Sequence, residues 1–193
     1  MKIDLSVTLT EDLLQSFFQL DAAGQIPPVG KFGHIGTHFD VMDKTFSLDN
    51  TEREGILFDV SHIRDREIEV TDIAATVIQE DDFVLFYTGW LQEHPYGSPG
   101  YFKNHPELSQ ALITSLVNKK VSLIGVDMAG IRQAAGHAQA DQYCADHHIF
   151  VIENLANLDI VMQKAQGRRF LVHTYPVNYA GLSGLPCRVV AEI

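Results

Sequence analysis

The sequence predicts an α/β protein built on a mixed sheet. Short apolar runs of strand character alternate with helix-forming stretches through the middle of the chain, and both ends are strand-rich. No internal repeat or low-complexity stretch interrupts the 193 residues, of which 46% are hydrophobic and 20% charged. A chain of that length builds its own core without staples, so one domain spanning residues 1–193 is expected.

The elements follow in order. Ile3, Leu5, Val7 and Leu9 alternate with Asp4, Ser6 and Thr8, the period-two pattern of a half-buried strand. Glu11 to Leu20 reads as a short helix ahead of a turn region at Gly24–Gly30. Ile56 to Val60 and Phe83 to Tyr87 are nearly continuous apolar runs, as in strands buried on both faces. Pro95, Gly97, Pro99 and Gly100 mark residues 92–105 as a loop, long enough for a lid or, with Trp90, a contact between copies of the chain. Pro106 in the first turn and lysines in the last frame a helix ending at Lys119. Val121 to Val126 is a strand, Arg132 to His147 a helix, and Ile149 to Ile152 a strand again. Phe170 to Val172 and Arg188 to Ile193 complete the set.

Charge excludes some partners. Lys and Arg number 14 against 25 Asp and Glu, a formal net charge of −11, which opposes binding to nucleic-acid phosphates or to an anionic membrane. Two cysteines, Cys144 and Cys187, form no CxxC pair and read as reduced cytosolic thiols. The opening MKIDLSVTLTEDLL is not a signal peptide, and no stretch reaches the ~20 apolar residues of a membrane span. A cytoplasmic protein acting on a small molecule is the expectation.

Two clusters could carry chemistry. In Gly33-His34-Ile35-Gly36-Thr37-His38-Phe39-Asp40, Gly36 and the β-branched Ile35 and Thr37 oppose a helix. On an extended segment His34, His38 and Asp40 have even spacing and project from one face. Imidazole and carboxylate without thiolate suit zinc or manganese in a catalytic site; a turn with solvated histidines is the alternative. The second cluster is His137, Asp141, His147, His148 and Glu153. His137 and Asp141, four apart on a helix, share a face. Glu153 ends an apolar strand, where a carboxylate needs a partner or an ion, unless it caps a following helix. His147 and His148 read as surface residues.

HIGTHFD resembles the HxGTHxDxPxH signature of the cyclase family, whose best-known members are the bacterial kynurenine formamidases. Ile3-Asp4-Leu5-Ser6 resembles the family's DLS strand, and Val84-Leu85-Phe86-Tyr87-Thr88-Gly89-Trp90 its VLxxTGW strand. Gly125-Val126-Asp127 matches GxD, Glu153-Asn154-Leu155 matches ENL, and Gly184-Leu185-Pro186-Cys187-Arg188 resembles the GxPxR ending. The order of these pieces, spread over nearly the whole chain, is more specific than any one of them. The resemblance implies a swivelling β/β/α fold, a homo-oligomer, and metal-dependent hydrolysis of a small amide, formamide, imide or lactam. A lactonase, a dehydratase and a catalytically silent binding protein on the same fold are the rivals.

Carried over residue by residue, His34, His38, Asp40 and Glu153 fall on the family's metal ligands. Two positions depart from the pattern. The motif's last histidine, the general acid/base, is Lys44, and the histidine twelve residues before the glutamate is Asp141. Lys44 is the expected proton donor by position, and a lysine near pKa ~10.4 is no base at neutral pH. If Asp40, Asp141 and Glu153 converge, one divalent ion together with Lys44 neutralises them, so a single zinc or manganese ion is expected, with His137 or Asp141 completing its shell. Phe39, Phe46, Tyr101 or Phe102 could wall an aromatic substrate.

Overall fold

The computed structural model describes the whole chain except residues 21, 22, 28, 29 and 31 and the side chains of 134 and 135. The turn expected at Gly24–Gly30 therefore lies partly outside the described residues.

Four strands form a parallel core: β3 (Glu52–Asp59), β4 (Phe83–Tyr87), β5 (Leu123–Val126) and β6 (Phe150–Glu153). Around them β1 (Lys2–Asp4), β2 (His38–Asp40), β7 (Phe170–Pro176) and β8 (Gly184–Glu192) pair antiparallel. The order is β1-β8-β2-β6-β5-β4-β3-β7, and β7 also pairs with β8 over Leu171–Pro176, which closes the sheet on itself like a barrel. Closure protects the sheet edges that an open sheet would expose.

Both faces of the central strands are buried, as their unbroken apolar runs predict. Phe83, Leu85, Leu123, Phe150 and Ile152 join Phe39, Leu158 and Val161 in an inner cluster. Val84, Phe86, Ile124, Val126 and Val151 face the other way, onto Leu112, Leu116, Ala140 and Cys144. Each such Leu, Val or Phe contributes ~1.5–3 kcal/mol on burial.

Among the described residues the helices include α1 (Glu11–Phe18), α2 (Trp90–Glu93), α3 (Gln110–Asn118), α4 (Ala134–Asp146) and α5 (Leu158–Ala165). The start expected at Pro106 is one turn early: Ile68 donates its N–H to Glu107 O and Leu108 its N–H to Ile131 O, holding that stretch extended. Ser109 then caps α3, its hydroxyl accepting from Leu112 N at 3.1 Å. The first strand is also shorter than its alternation, because the Asp4 carboxylate takes the Ser6 N–H at 3.1 Å and ends the ladder. No described helix is long and apolar enough to cross a membrane.

Candidate metal centre

Strand pairing assembles the first half of the site. In the β2–β6 ladder His38 stands opposite Glu153 and Phe39 opposite Ile152. Phe39 and Ile152 enter the inner cluster, so His38, Asp40 and Glu153 turn to the opposite face, beneath α4. From α4, His137 and Asp141 project back toward them: His137 Nε2 is 3.1 Å from Asp141 Oδ2 and 3.1 Å from Glu153 Oε1.

The surrounding chain orients each ring. His38 Nδ1–H donates to the Gly36 carbonyl at 2.9 Å, which leaves the Nε2 lone pair facing outward. That nitrogen looks at Asp40 Oδ1 at 3.5 Å and Glu153 Oε2 at 3.6 Å. His34 bonds the Ser183 hydroxyl through Nε2 at 2.9 Å and brings Nδ1 to 2.8 Å from Asp40 Oδ1. Two glycines make room. A Cβ on Gly130, whose φ is +111°, would lie 2.6 Å from the His137 ring. One on Gly184 would lie 2.9 Å from Cγ of His34.

Asn154 ties these pieces together. Its backbone is left-handed at φ 60°, its Nδ2 donates to Gly36 O at 2.8 Å, and its Oδ1 accepts from the Tyr101 hydroxyl at 2.7 Å. The Thr37 hydroxyl donates to Asn154 O at 2.7 Å. Sequence reading missed Ser183 and Gly130, named Tyr101 only as a wall for an aromatic substrate, and touched Asn154 only as part of the ENL match.

Electrostatically the cluster is incomplete without cations. Asp40 Oδ1 and Oδ2, Asp141 Oδ1 and Glu153 Oε1 are buried without a hydrogen bond of acceptable geometry. Burial would lower the His38 pKa, but the Asp40 and Glu153 carboxylates override it and lift it to about 9. Burial would raise that of Asp40, yet the His38 and His34 imidazoles hold it far below the carboxylate range. Asp141 and Glu153 are pushed well above that range, by burial first and then by the charge of Asp40. Bare carboxylate oxygens beside outward-facing imidazole nitrogens fit a divalent ion of zinc or manganese type.

Two ligand groups emerge among the described residues. His34, His38 and Asp40 form one; Asp40, His137, Asp141 and Glu153 form the other, and within each group the ligand atoms lie within 4.8 Å of one another. The sequence left His137 and Asp141 as alternatives and anticipated one ion. The structure places both residues in the same group and, with Asp40 shared, offers two neighbouring positions. Beside them opens a cavity of about 360 Å³, lined by His34, His38, His137, Glu153, Asn154, Phe32, Tyr96 and Phe102, among others.

Lys44 does not line that cavity. Its ammonium pairs with Asp146 at 2.7 Å and Asp43 at 3.0 Å, which raise its pKa above the usual lysine value, and it lines a separate cavity between the β2 exit and residues 176–182. Asp43 in turn accepts from Gln142 of α4 at 2.8 Å. Lys44 therefore sits where it fastens the loop after β2 to α4. Of the four aromatic residues expected to wall a substrate, only Phe102 reaches the cavity; Phe39 and Tyr101 are core, and Phe46 packs on Phe39 at 4.6 Å between ring centres.

Comparison with known proteins gives the following. The family model described as "Putative cyclase" matches residues 3–132. No curated protein matches the chain. Isatin hydrolase A from Labrenzia aggregata superposes with a TM-score of 0.75 at 19% identity, over 99% of this chain and 93% of that one. Isatin hydrolase A from Ralstonia solanacearum gives 0.75 at 20% identity, over 99% and 91%. A structure described as a potential metal-dependent hydrolase with cyclase activity gives 0.73 at 22% identity, over 99% and 96%. At these identities the likeness is one of fold, and it agrees with the mixed α/β architecture expected from the sequence.

Proposed function

The chain belongs to the cyclase family, and on that premise we propose that it is a metal-dependent hydrolase opening the C–N bond of a small cyclic imide, lactam or aryl formamide. One observation carries the reading: buried carboxylate oxygens of Asp40, Asp141 and Glu153 without hydrogen bonds of acceptable geometry stand among imidazoles whose ring nitrogens face them, and Glu153, His34, His38 and His137 of that cluster line a cavity. A purely structural cluster would have its buried polar atoms satisfied.

His34, His38 and Asp40 would hold one divalent ion and Asp40, His137, Asp141 and Glu153 a second, with Asp40 shared. Bound there, a divalent ion lowers the pKa of water toward neutrality and polarises a carbonyl. The residues supply the rest. Ser183 and the Gly36 carbonyl fix the two imidazoles of the motif, so their ligand nitrogens are preorganised. Phe32, Tyr96 and Phe102 give the cavity an aromatic side, and its volume suits a small flat molecule. Support for a cyclic amide comes from the isatin hydrolases that share the fold.

A second reading has its own observation. The motif's last position carries Lys44, which lies outside the cavity, so a silent metal- or ligand-binding protein is the competitor. The test is elemental analysis of untagged protein purified without chelators, followed by assays on phthalimide, N-formylaniline and a lactone. Bound zinc or manganese, with turnover abolished by chelation and restored by the ion, is expected. Metal without turnover of any of the three would favour the binding protein, and turnover of the lactone alone a lactonase.

A further inference from the structure

We infer that the Tyr96 hydroxyl donates a hydrogen bond to the substrate's carbonyl oxygen, which makes Tyr96 a catalytic residue of the reaction proposed above and rests on that reading. The polar side chains named around the cavity sort themselves quickly. His34, His38, His137 and Glu153 belong to the ligand groups. Asn154 is spent on scaffolding, with its Nδ2 on Gly36 O and its Oδ1 taken by Tyr101. Tyr96 remains.

Its geometry is that of a held donor. The Tyr96 oxygen accepts the Gly36 N–H at 2.8 Å, and its own hydrogen is given to no described residue. Gly36 stands between His34 and His38, so the hydroxyl is anchored to the ligand motif itself. The ring is clamped by Phe17, Tyr101 and Phe102, with ring centres 6.0, 5.3 and 5.9 Å away. A donor fixed beforehand costs no reorganisation when charge develops on the carbonyl oxygen. Burial, reinforced by the charge of Glu153, pushes the phenol up to about 12 against the pull of the Gly36 N–H, so it stays protonated. The O–H bond remains intact throughout; the hydrogen bond shortens as the oxygen gains charge, and no proton is transferred. The loop from 92 to 105, expected to be a lid or contact, thereby supplies a chemical group.

The test is Tyr96→Phe, loaded to the wild-type metal content and assayed on phthalimide and N-formylaniline. The expected result is a ~100-fold fall in kcat with KM within a few fold and metal affinity unchanged. Tyr96→His, which restores a ring N–H, should recover part of the loss. Unchanged kcat overturns the proposal, and so does a loss that only tracks lost metal, since Tyr96 would then merely support Gly36. If wild-type protein turns over neither substrate, the hydrolase reading fails by itself. Benzoate titration of the metal-loaded proteins then decides on Tyr96: at least ~10-fold weaker binding by Tyr96→Phe supports the donor, and equal binding overturns it. If Tyr96→Phe does not fold, a crystal structure of loaded wild-type protein with benzoate replaces it. Tyr96 Oη within ~3 Å of a benzoate oxygen supports the proposal, and an oxygen out of hydrogen-bond reach overturns it.

Discussion

His34 Nδ1 and His38 Nε2 lie 3.1 Å apart, their rings edge to face, and both nitrogens turn toward Asp40 Oδ1. Because His38 already gives its Nδ1–H to Gly36 O, its other nitrogen meets the carboxylate as lone pair against lone pair unless a cation intervenes. A proton serves at a pinch, and a metal ion serves both rings at once. The folded chain thus holds protons where it would otherwise hold metal, and binding the metal must release them.

The sign of the resulting pH dependence is fixed. The His38 pKa rises from 6.5 to about 9 in the folded protein, so its proton stabilises the fold fully below pH 6.5 and that stabilisation is lost as pH climbs through about 9. Chelator-treated protein should lose ~3 kcal/mol over that interval, while metal-loaded protein shows no such loss. Urea midpoints at pH 6.5 and 9, with and without chelator, measure it. Equal stability of the chelated protein at both values would refute it.

How much of this was legible depends on range. The even spacing of His38 and Asp40 already implied one face of a strand, and the helical spacing of His137 and Asp141 one face of α4. Those are local periodicities. That His38 meets Glu153 is a matter of register between β2 and β6, over a hundred residues apart, which only the family resemblance hinted at. Ser183 and Tyr96 gave no signal, and Tyr101 only that of an aromatic wall, because each acts on a partner from a distant segment. The pairing of β7 with β8 is likewise silent in either strand alone. Lys44 shows the opposite case: its place in the motif is local, but the partners of its ammonium, Asp146 on α4 and the neighbouring Asp43, lie outside the cavity beside the ligand groups.

Gly130 is expected to be indispensable to one ligand group only. Alanine there meets the His137 ring at 2.6 Å from a backbone at φ +111°, a strain of ~1–3 kcal/mol. Gly130→Ala should weaken the group containing His137 by ~10–100-fold in metal affinity and leave the His34 group binding. Titration with manganese would then show two equivalents in the wild type and one tight equivalent in the variant. A wild type that never exceeds one equivalent would remove the two-ion arrangement.

Lys44→Met tests whether the motif's last position does chemistry. With the ammonium held by Asp146 and Asp43 outside the cavity, the variant should keep its metal and its turnover within about threefold of wild type. Exposed ion pairs contribute little, so the melting temperature should hardly move. A collapse of kcat at full metal content would return Lys44 to the reaction.

Tyr101→Phe probes the scaffold behind the ligands. Tyr101 is fully buried, and removing its hydroxyl strands Asn154 Oδ1 in the interior at a cost of ~1–3 kcal/mol. The consequence should travel further than stability. Asn154 and the His38 ring share the Gly36 carbonyl as acceptor, so an asparagine amide free to turn loosens the aim of His38 Nε2. Metal affinity is therefore expected to fall ~10–100-fold in a protein that still unfolds cooperatively. Asn154→Ala should do the same, and the double variant should lose little more than either single one, because all three cut one chain of hydrogen bonds. Additive losses, or a Tyr101→Phe protein that is less stable yet binds metal normally, would show that Tyr101 is only core.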